Sequence, residues 1–180
     1  MVVVDRQAVT SLRKSGAIAA GGTVLVASGD RDTFQLASDR TTILYPVRAG
    51  ELARISPDEV RARYEVDPKQ VPDSVALRGD SSDKIPGAPG VGATGAATLL
   101  QRYGSLEAAV AAGRFPAIAE SLRLYRSIAM MDKKAPLPSL RSQKPAWDKA
   151  AALAGEWELN QLARRLEELG TRNSDAKRRR

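Results

Sequence analysis

Residues 85–95 read Ile-Pro-Gly-Ala-Pro-Gly-Val-Gly-Ala-Thr-Gly, with five prolines and glycines ahead of Thr94. No regular element runs through such a stretch. Proline removes backbone donors and fixes φ, and glycine costs conformational entropy in a helix or strand. The run must therefore be a tight connection. Downstream, Ala96–Tyr103 has helical composition, with Gly104 where a left-handed cap belongs. Upstream, Pro72-Asp73 opens a short helix carrying Val75, Ala76 and Leu77. The pattern predicts two helices joined by a glycine-rich hairpin, the second beginning near Thr94.

Gly90-Val91-Gly92-Ala93-Thr94-Gly95 also satisfies G-x-G-x-x-G. That spacing marks a dinucleotide site only when it follows a strand and opens the helix of a βαβ unit. Pro86 and Pro89 forbid a central strand here, and residues 105–131 read as helical. In a helix–hairpin–helix the same glycines let the backbone approach a phosphate, and the free N–H groups of the second helix bind the anion. Such a contact reads the backbone of a nucleic acid, not its sequence. A plain helix–helix turn is the alternative.

Two acidic pairs accompany the hairpin. Asp30 and Asp32 follow the apolar run Thr23–Ala27, at the carboxyl end of an expected strand, where open α/β sheets place their sites. Asp80 and Asp83 lie in Gly79-Asp80-Ser81-Ser82-Asp83-Lys84-Ile85-Pro86-Gly87, three apart, so one helical turn would set them on one side. Brought together, the four could serve a hard divalent cation, which takes oxygen ligands, in phosphodiester cleavage. Either pair alone is as readily a turn or a cap.

Composition narrows the chemistry further. The chain has no cysteine and no histidine, which excludes disulfides, thiolate metal sites and imidazole as base or ligand. The net charge is +7, and Arg172–Arg180 holds five basic residues against one acid. That basic tail is either a solvated end or an unspecific attraction for phosphates. No apolar run approaches the roughly 20 residues that span a bilayer, and Met1–Val4 lacks a basic segment ahead of it, so a cytoplasmic protein with no membrane partner is expected.

Organisation follows a change of texture near Gly50. Residues 1–50 read as a small α/β piece: a weak helical hint at Val9, Leu12 and Ile18, a strand at Thr23–Ala27 buried on both faces, a helical turn at Asp32–Ala37, and a second strand at Thr41–Tyr45. Residues 51–170 read as helical. Ser56-Pro57-Asp58-Glu59 is a capped start with Val60 and Tyr64 on its apolar face, and Ser105-Leu106-Glu107 is another start. Longer helices are expected over 116–131 and 147–169, joined by a proline-rich link at 136–145. Leu153, Trp157, Leu159, Leu162, Leu166 and Leu169 make an apolar face near the end, and residues 171–180 form the basic tail.

Ser28-Gly29-Asp30-Arg31-Asp32-Thr33-Phe34-Gln35-Leu36 resembles the "GDxDxxQL" stretch of bacterial 5′→3′ exonucleases, the family that includes the N-terminal nuclease domain of DNA polymerase I. Ala76–Gly92 resembles their second acidic motif and helical hairpin, and Tyr103-Gly104-Ser105-Leu106-Glu107 continues the likeness, which covers roughly residues 23–169. The resemblance implies a partial PIN/5′-nuclease-like parallel sheet followed by a helix–hairpin–helix region. It implies a hydrolase using two Mg²⁺ or Mn²⁺ ions on DNA with 5′ ends or flaps, in replication and repair. Asp30, Asp32, Asp80 and Asp83 would hold chiefly the second metal. Lys84, Gly87, Gly90, Val91, Gly92, Thr94, Gly95 and Arg102 would bind DNA, with K⁺ at the hairpin.

Two departures stand against a simple transfer. The family's Glu-x-Asp-Asp falls on Asp5-Arg6-Gln7-Ala8, which keeps one acid, and the chain looks N-terminally truncated, with residues 1–20 atypical. The family's Gly-x-Gly-x-Lys-Thr is here Gly90-Val91-Gly92-Ala93-Thr94-Gly95, so a neutral hydroxyl stands where a lysine is usual. Two outcomes are open: part of an active 5′→3′ exonuclease or 5′-flap nuclease, or a DNA-binding fragment without catalysis. A monomer is expected in either case.

Overall fold

The computed structural model describes residues 2–3, 23–48, 51–132 and 146–178. The helical hint at Val9–Ile18, the Asp5–Ala8 register and the link at 136–145 lie outside the described residues. Packing divides the chain into two compact units, residues 1–139 and 140–180.

In the first unit a four-stranded sheet has the order β1 (Val2–Val3), β2 (Val24–Ala27), β3 (Thr41–Pro46), β4 (Leu52–Ile55). β1, β2 and β3 are parallel, with Val24 opposite Thr41 and Ala27 opposite Leu44. β4 returns antiparallel, with Ile43 opposite Ile55. The expected strands at residues 23–27 and 41–45 are present. β4 is not foreshadowed in the sequence, and it carries the sheet past residue 50. Its pattern Leu-Ala-Arg-Ile has an exposed leucine and only Ile55 fully buried, so periodicity there is faint. Nor is β2 buried on both faces: Val24 and Val26 are inside, whereas Leu25 and Ala27 are half-exposed.

Between β2 and β3 the chain makes a short 3₁₀ helix, Arg31–Leu36. Its Phe34 is buried with Val26 and Ile43, and meets Tyr45 edge-on at 5.3 Å and Tyr64 at 5.7 Å. One aromatic thus ties the sheet to the first long helix, α1 (Pro57–Tyr64). α1 begins as its sequence dictates, with Ser56 accepting the Glu59 N–H at 3.3 Å. A 3₁₀ turn (Pro68–Gln70) leads into α2 (Val71–Arg78), buried along almost its whole length. α3 (Ala93–Tyr103), α4 (Leu106–Ala111) and α5 (Ala119–Ala129) complete the unit.

Two polar side chains hold these helices in place. Asp73, 4% exposed, accepts the Leu106 N–H of α4 at 3.1 Å and pairs with the Arg126 guanidinium of α5. A buried carboxylate on α2 therefore satisfies the start of one helix and the charge of another. Gln35 donates to the Ala129 carbonyl at 2.9 Å and accepts from the Met131 N–H at 3.1 Å. This fastens the 3₁₀ helix after β2 to the end of α5.

The second unit is a pair of helices, α6 (Trp147–Glu156) and α7 (Asn160–Arg178). The expected single helix over 147–169 is broken at Trp157–Leu159, where Glu158 takes φ +58°. The expected apolar face is largely exposed: Trp157 is 69% exposed and Leu153, Leu159, Leu162 and Leu169 are 43–48% exposed. Two helices share a single seam, filled here by Ala151 and Ala154, and larger residues off that seam stay outside. Helix α7 continues through Arg178, into the basic tail. Among the described residues no helix is long and apolar enough to cross a membrane.

Removing the Asp73 carboxylate leaves the Leu106 N–H and a half-buried guanidinium without their acceptor. Asp73→Ala should lower unfolding free energy by about 2–4 kcal/mol, measured by urea denaturation. Arg126→Leu should cost a comparable amount, because it strips the buried Asp73 carboxylate of its counter-charge and leaves it only the Leu106 N–H.

Candidate functional site

The connection from α2 to α3 is built on two glycines back to back. Gly79 ends α2 at φ +79° and Gly87 has φ +76°. A Cβ on Gly87 would lie 2.5 Å from the Gly79 nitrogen, and one on Gly79 would lie 2.7 Å from the Ile85 carbonyl oxygen. Both positions demand glycine twice over, for the sign of φ and for the space. Their contact pinches off a loop. Asp80 and Ile85 exchange two backbone hydrogen bonds, at 2.9 and 2.8 Å, around Ser81–Lys84. The expected helical turn over Asp80–Asp83 is therefore a β-bridged loop, closed by Lys84 at φ +56°.

That loop sets the acids against the other motif. Gly29, Asp30, Arg31 and Asp32 line one open cleft of about 640 Å³ with Asp80, Ser81, Ser82 and Asp83. All four expected carboxylates are thus brought together. Asp30 caps the 3₁₀ helix, accepting the Asp32 N–H at 2.9 Å, and Asp32 itself is buried. Asp80 accepts from the Ser82 hydroxyl and from the Ser82 N–H at 2.9 Å, and its other oxygen lies 3.7 Å from Arg78 Nη2. The Ser82 hydroxyl, with help from its N–H and from Arg78, holds the Asp80 carboxyl below the usual carboxylate range. Arg31 leans on the Tyr45 hydroxyl at 3.4 Å and feels Asp80 as well.

A divalent metal is the group this donor set suggests, since every donor is a hard oxygen. The fit fails on geometry. Among the described residues no group of three or more acids is placed to hold an ion. Asp30 and Asp80 each spend an oxygen on neighbouring N–H groups.

Beyond Gly87 the chain turns again. Val91 N–H donates to the Ala88 carbonyl at 3.0 Å, with Pro89 first and Gly90 second in the turn, the latter at φ +75° as this turn chemistry requires. Gly92 then opens α3 with no side-chain cap. The first bond into the helix is Ala96 N–H to the Gly92 carbonyl, at 2.9 Å. The amides of Ala93, Thr94 and Gly95 therefore belong to the helix's unpaired first turn. All three residues are exposed, and a Cβ at Gly90 or Gly92 would meet nothing. This is an open, positively poled patch of backbone, as anion-binding helix starts are.

Of the residues expected to touch DNA, Gly90, Val91, Gly92, Thr94 and Gly95 share this tip. Gly87 does not: it is buried against Gly79. Lys84 stands in the acidic loop. Arg102 sits in the last turn of α3, stacked over Tyr103 at 5.3 Å, about 13 Å along the axis from Ala93 at 1.5 Å per residue. Arg78, Ser82, Gln35 and Asp73 were not singled out by the sequence. Arg78 and Ser82 meet Asp80 two residues away, whereas Gln35 and Asp73 reach partners 33 to 96 residues away that no local pattern announces.

A small sheet whose loops carry acids is thus followed by two helices joined by a glycine-rich hairpin. Residues 66–152 match the family described as "5′-3′ exonuclease, C-terminal SAM fold". DNA polymerase I of Mycobacterium tuberculosis is 50% identical over 91 residues, 50% of this chain and 10% of that protein. A "5′-3′ exonuclease" of Streptomyces coelicolor is 42% identical over 90 residues, 48% of this chain and 30% of that protein. A bacteriophage T5 flap endonuclease, solved as a pseudo-enzyme-product complex with DNA and metal ions, shares the fold at TM-score 0.59 and 17% identity, over 91% of this chain and 58% of that one. Together these matches support a partial 5′-3′ exonuclease family member, and the chain spans well under two-thirds of the length of these relatives.

The two kinds of glycine here are separable by substitution. Gly87→Ala sets a Cβ 2.5 Å from the Gly79 backbone nitrogen and should destabilise the protein by about 3 kcal/mol or more. Gly90→Ala, with the same sign of φ but open space, should cost about 1 kcal/mol. Thermal melts of the two variants check the order.

Proposed function

We propose that this chain grips DNA through the tip of its α2–α3 hairpin, as the DNA-holding part of metal-dependent 5′→3′ exonuclease or 5′-flap cleavage in replication and repair. The observation that carries the reading is the exposed, uncapped first turn of α3 behind Gly90 and Gly92. The first-turn backbone N–H groups are left for a phosphate oxygen, and the helix dipole favours the negative charge. A contact made by backbone N–H groups reads the phosphate chain and not the base sequence. The net charge of +7 adds a long-range attraction that salt screens.

Family membership supports cleavage chemistry for the complete nuclease, and its cation would be divalent, Mg²⁺ or Mn²⁺. Among the described residues no three carboxylates converge on an ion, which supports holding over cutting. The acids of the cleft repel phosphate unless a cation intervenes, whereas the hairpin binds it directly. We assign the grip to the hairpin and leave K⁺ there, monomeric state and preference for flaps as parts of the same proposal.

Fluorescence anisotropy with a labelled 5′-flap duplex in EDTA tests the grip. Thr94→Glu leaves the helix start favourable but sets a negative charge beside the phosphate, and should weaken binding roughly tenfold or more. Arg102→Ala should change it less than about threefold, one exposed phosphate contact at most. Equal effects of the two substitutions would remove the hairpin tip from the interface. Mg²⁺ or Mn²⁺ added to the same complex should produce no cleavage that Asp80→Ala abolishes. Robust cleavage of that kind would assign the cut to this chain as well.

A further inference from the structure

Four carboxylates from two distant segments share one cleft with no group of three placed to hold a cation. Like charges gathered this way need a counter-charge. Arg78 is in position to supply it. It is the last residue of α2, its side chain is only 21% exposed, and its Nη2 lies 3.7 Å from Asp80 Oδ2. The same guanidinium lines a small inner cavity with Arg31, Phe34, Tyr64, Ser74 and Asp32. Asp32 and Arg31 line the open acidic cleft as well, so the two spaces share residues. Ser82 fixes the first oxygen of Asp80 and Arg78 faces the second. A carboxylate held on both sides in this way meets an incoming ion with part of its charge already countered.

We propose that Arg78 is a built-in counter-ion of the acidic cleft, a positioning residue that sets the Asp80 carboxylate and weakens the cleft's affinity for divalent cations. Arginine suits this role better than lysine or a bound ion, because its charge is permanent and its planar head is less strongly hydrated. The cost falls on cation binding. A fixed positive charge close to an incoming divalent ion opposes it, and in partly buried surroundings removing that charge should tighten binding on the order of tenfold. The inference concerns the acidic cleft alone and is independent of the hairpin's grip on DNA, which is measured in EDTA.

The test is Mn²⁺ titration of the purified full chain, with free Mn²⁺ read by electron paramagnetic resonance, for the native protein, Arg78→Met, Arg78→Gln and Arg78→Lys. The native protein and Arg78→Lys should bind weakly, with dissociation constants around 1 mM, as expected of a carboxylate wall that already has its counter-charge. Arg78→Met and Arg78→Gln should bind roughly tenfold more tightly. In EDTA both neutral variants should melt below the native protein, and Mn²⁺ should raise their melting temperature more than it raises the native one. A residue that only packed α2 would lower the melt without tightening Mn²⁺. Unchanged or weaker Mn²⁺ binding in both neutral variants overturns the proposal. Where neither variant folds, native binding below about 10 μM overturns it equally, since a cleft weakened by its own counter-charge should not hold Mn²⁺ that tightly.

Discussion

Two glycines in van der Waals contact, Gly79 and Gly87, carry the geometry of the whole functional region. Their missing side chains let the backbone leave α2, loop out through four residues and return upon itself. The loop thrown out on one side holds Asp80 and Asp83 against Asp30 and Asp32. The chain leaving on the other side enters the Ala88–Val91 turn and starts α3. An acidic cleft and an anion-seeking helix start are thereby fixed to one rigid pinch. A side chain at either glycine would displace both at once.

The pinch matters only because α2 is itself immobile. Seven of its eight residues are buried, and Asp73 fastens it to the start of α4 and to Arg126 of α5. Gln35 repeats the device at the sheet, joining the segment after β2 to the end of α5. Both are buried or half-buried polar groups with their partners supplied by distant backbone, the arrangement that lets polar atoms specify a packing without a penalty for burial. The acids at Asp30 and Asp32 thus keep a fixed relation to those at Asp80 and Asp83, although 48 residues or more separate the pairs.

Much of this was readable from the chain before its structure. Proline and glycine placement determined the hairpin, because those residues act locally. Ser56, Gly104 and Ser105 marked helix ends through capping chemistry that also needs no distant partner. What failed to show was whatever depended on tertiary contact. β4 has no clean alternation because its edge leaves Leu52 half outside. Gly87 looked like a phosphate-facing glycine and proved to be a packing one, a distinction that rests on the position of Gly79. Arg102 looked like a cation near the hairpin and lies at the opposite end of its helix. The break at Trp157–Leu159 interrupts an apolar spacing that continues through it.

The central claim is that backbone N–H groups at the α3 start, and not the basic tail or the acidic cleft, form the seat for DNA. Amide chemical shifts followed during titration of a ¹⁵N-labelled chain with a short duplex test it most directly. The account predicts the largest perturbations at Gly90, Val91, Gly92, Ala93, Thr94 and Gly95, saturating together and weakening as salt rises. Perturbations confined to residues 172–180, with the hairpin amides unmoved, would contradict it.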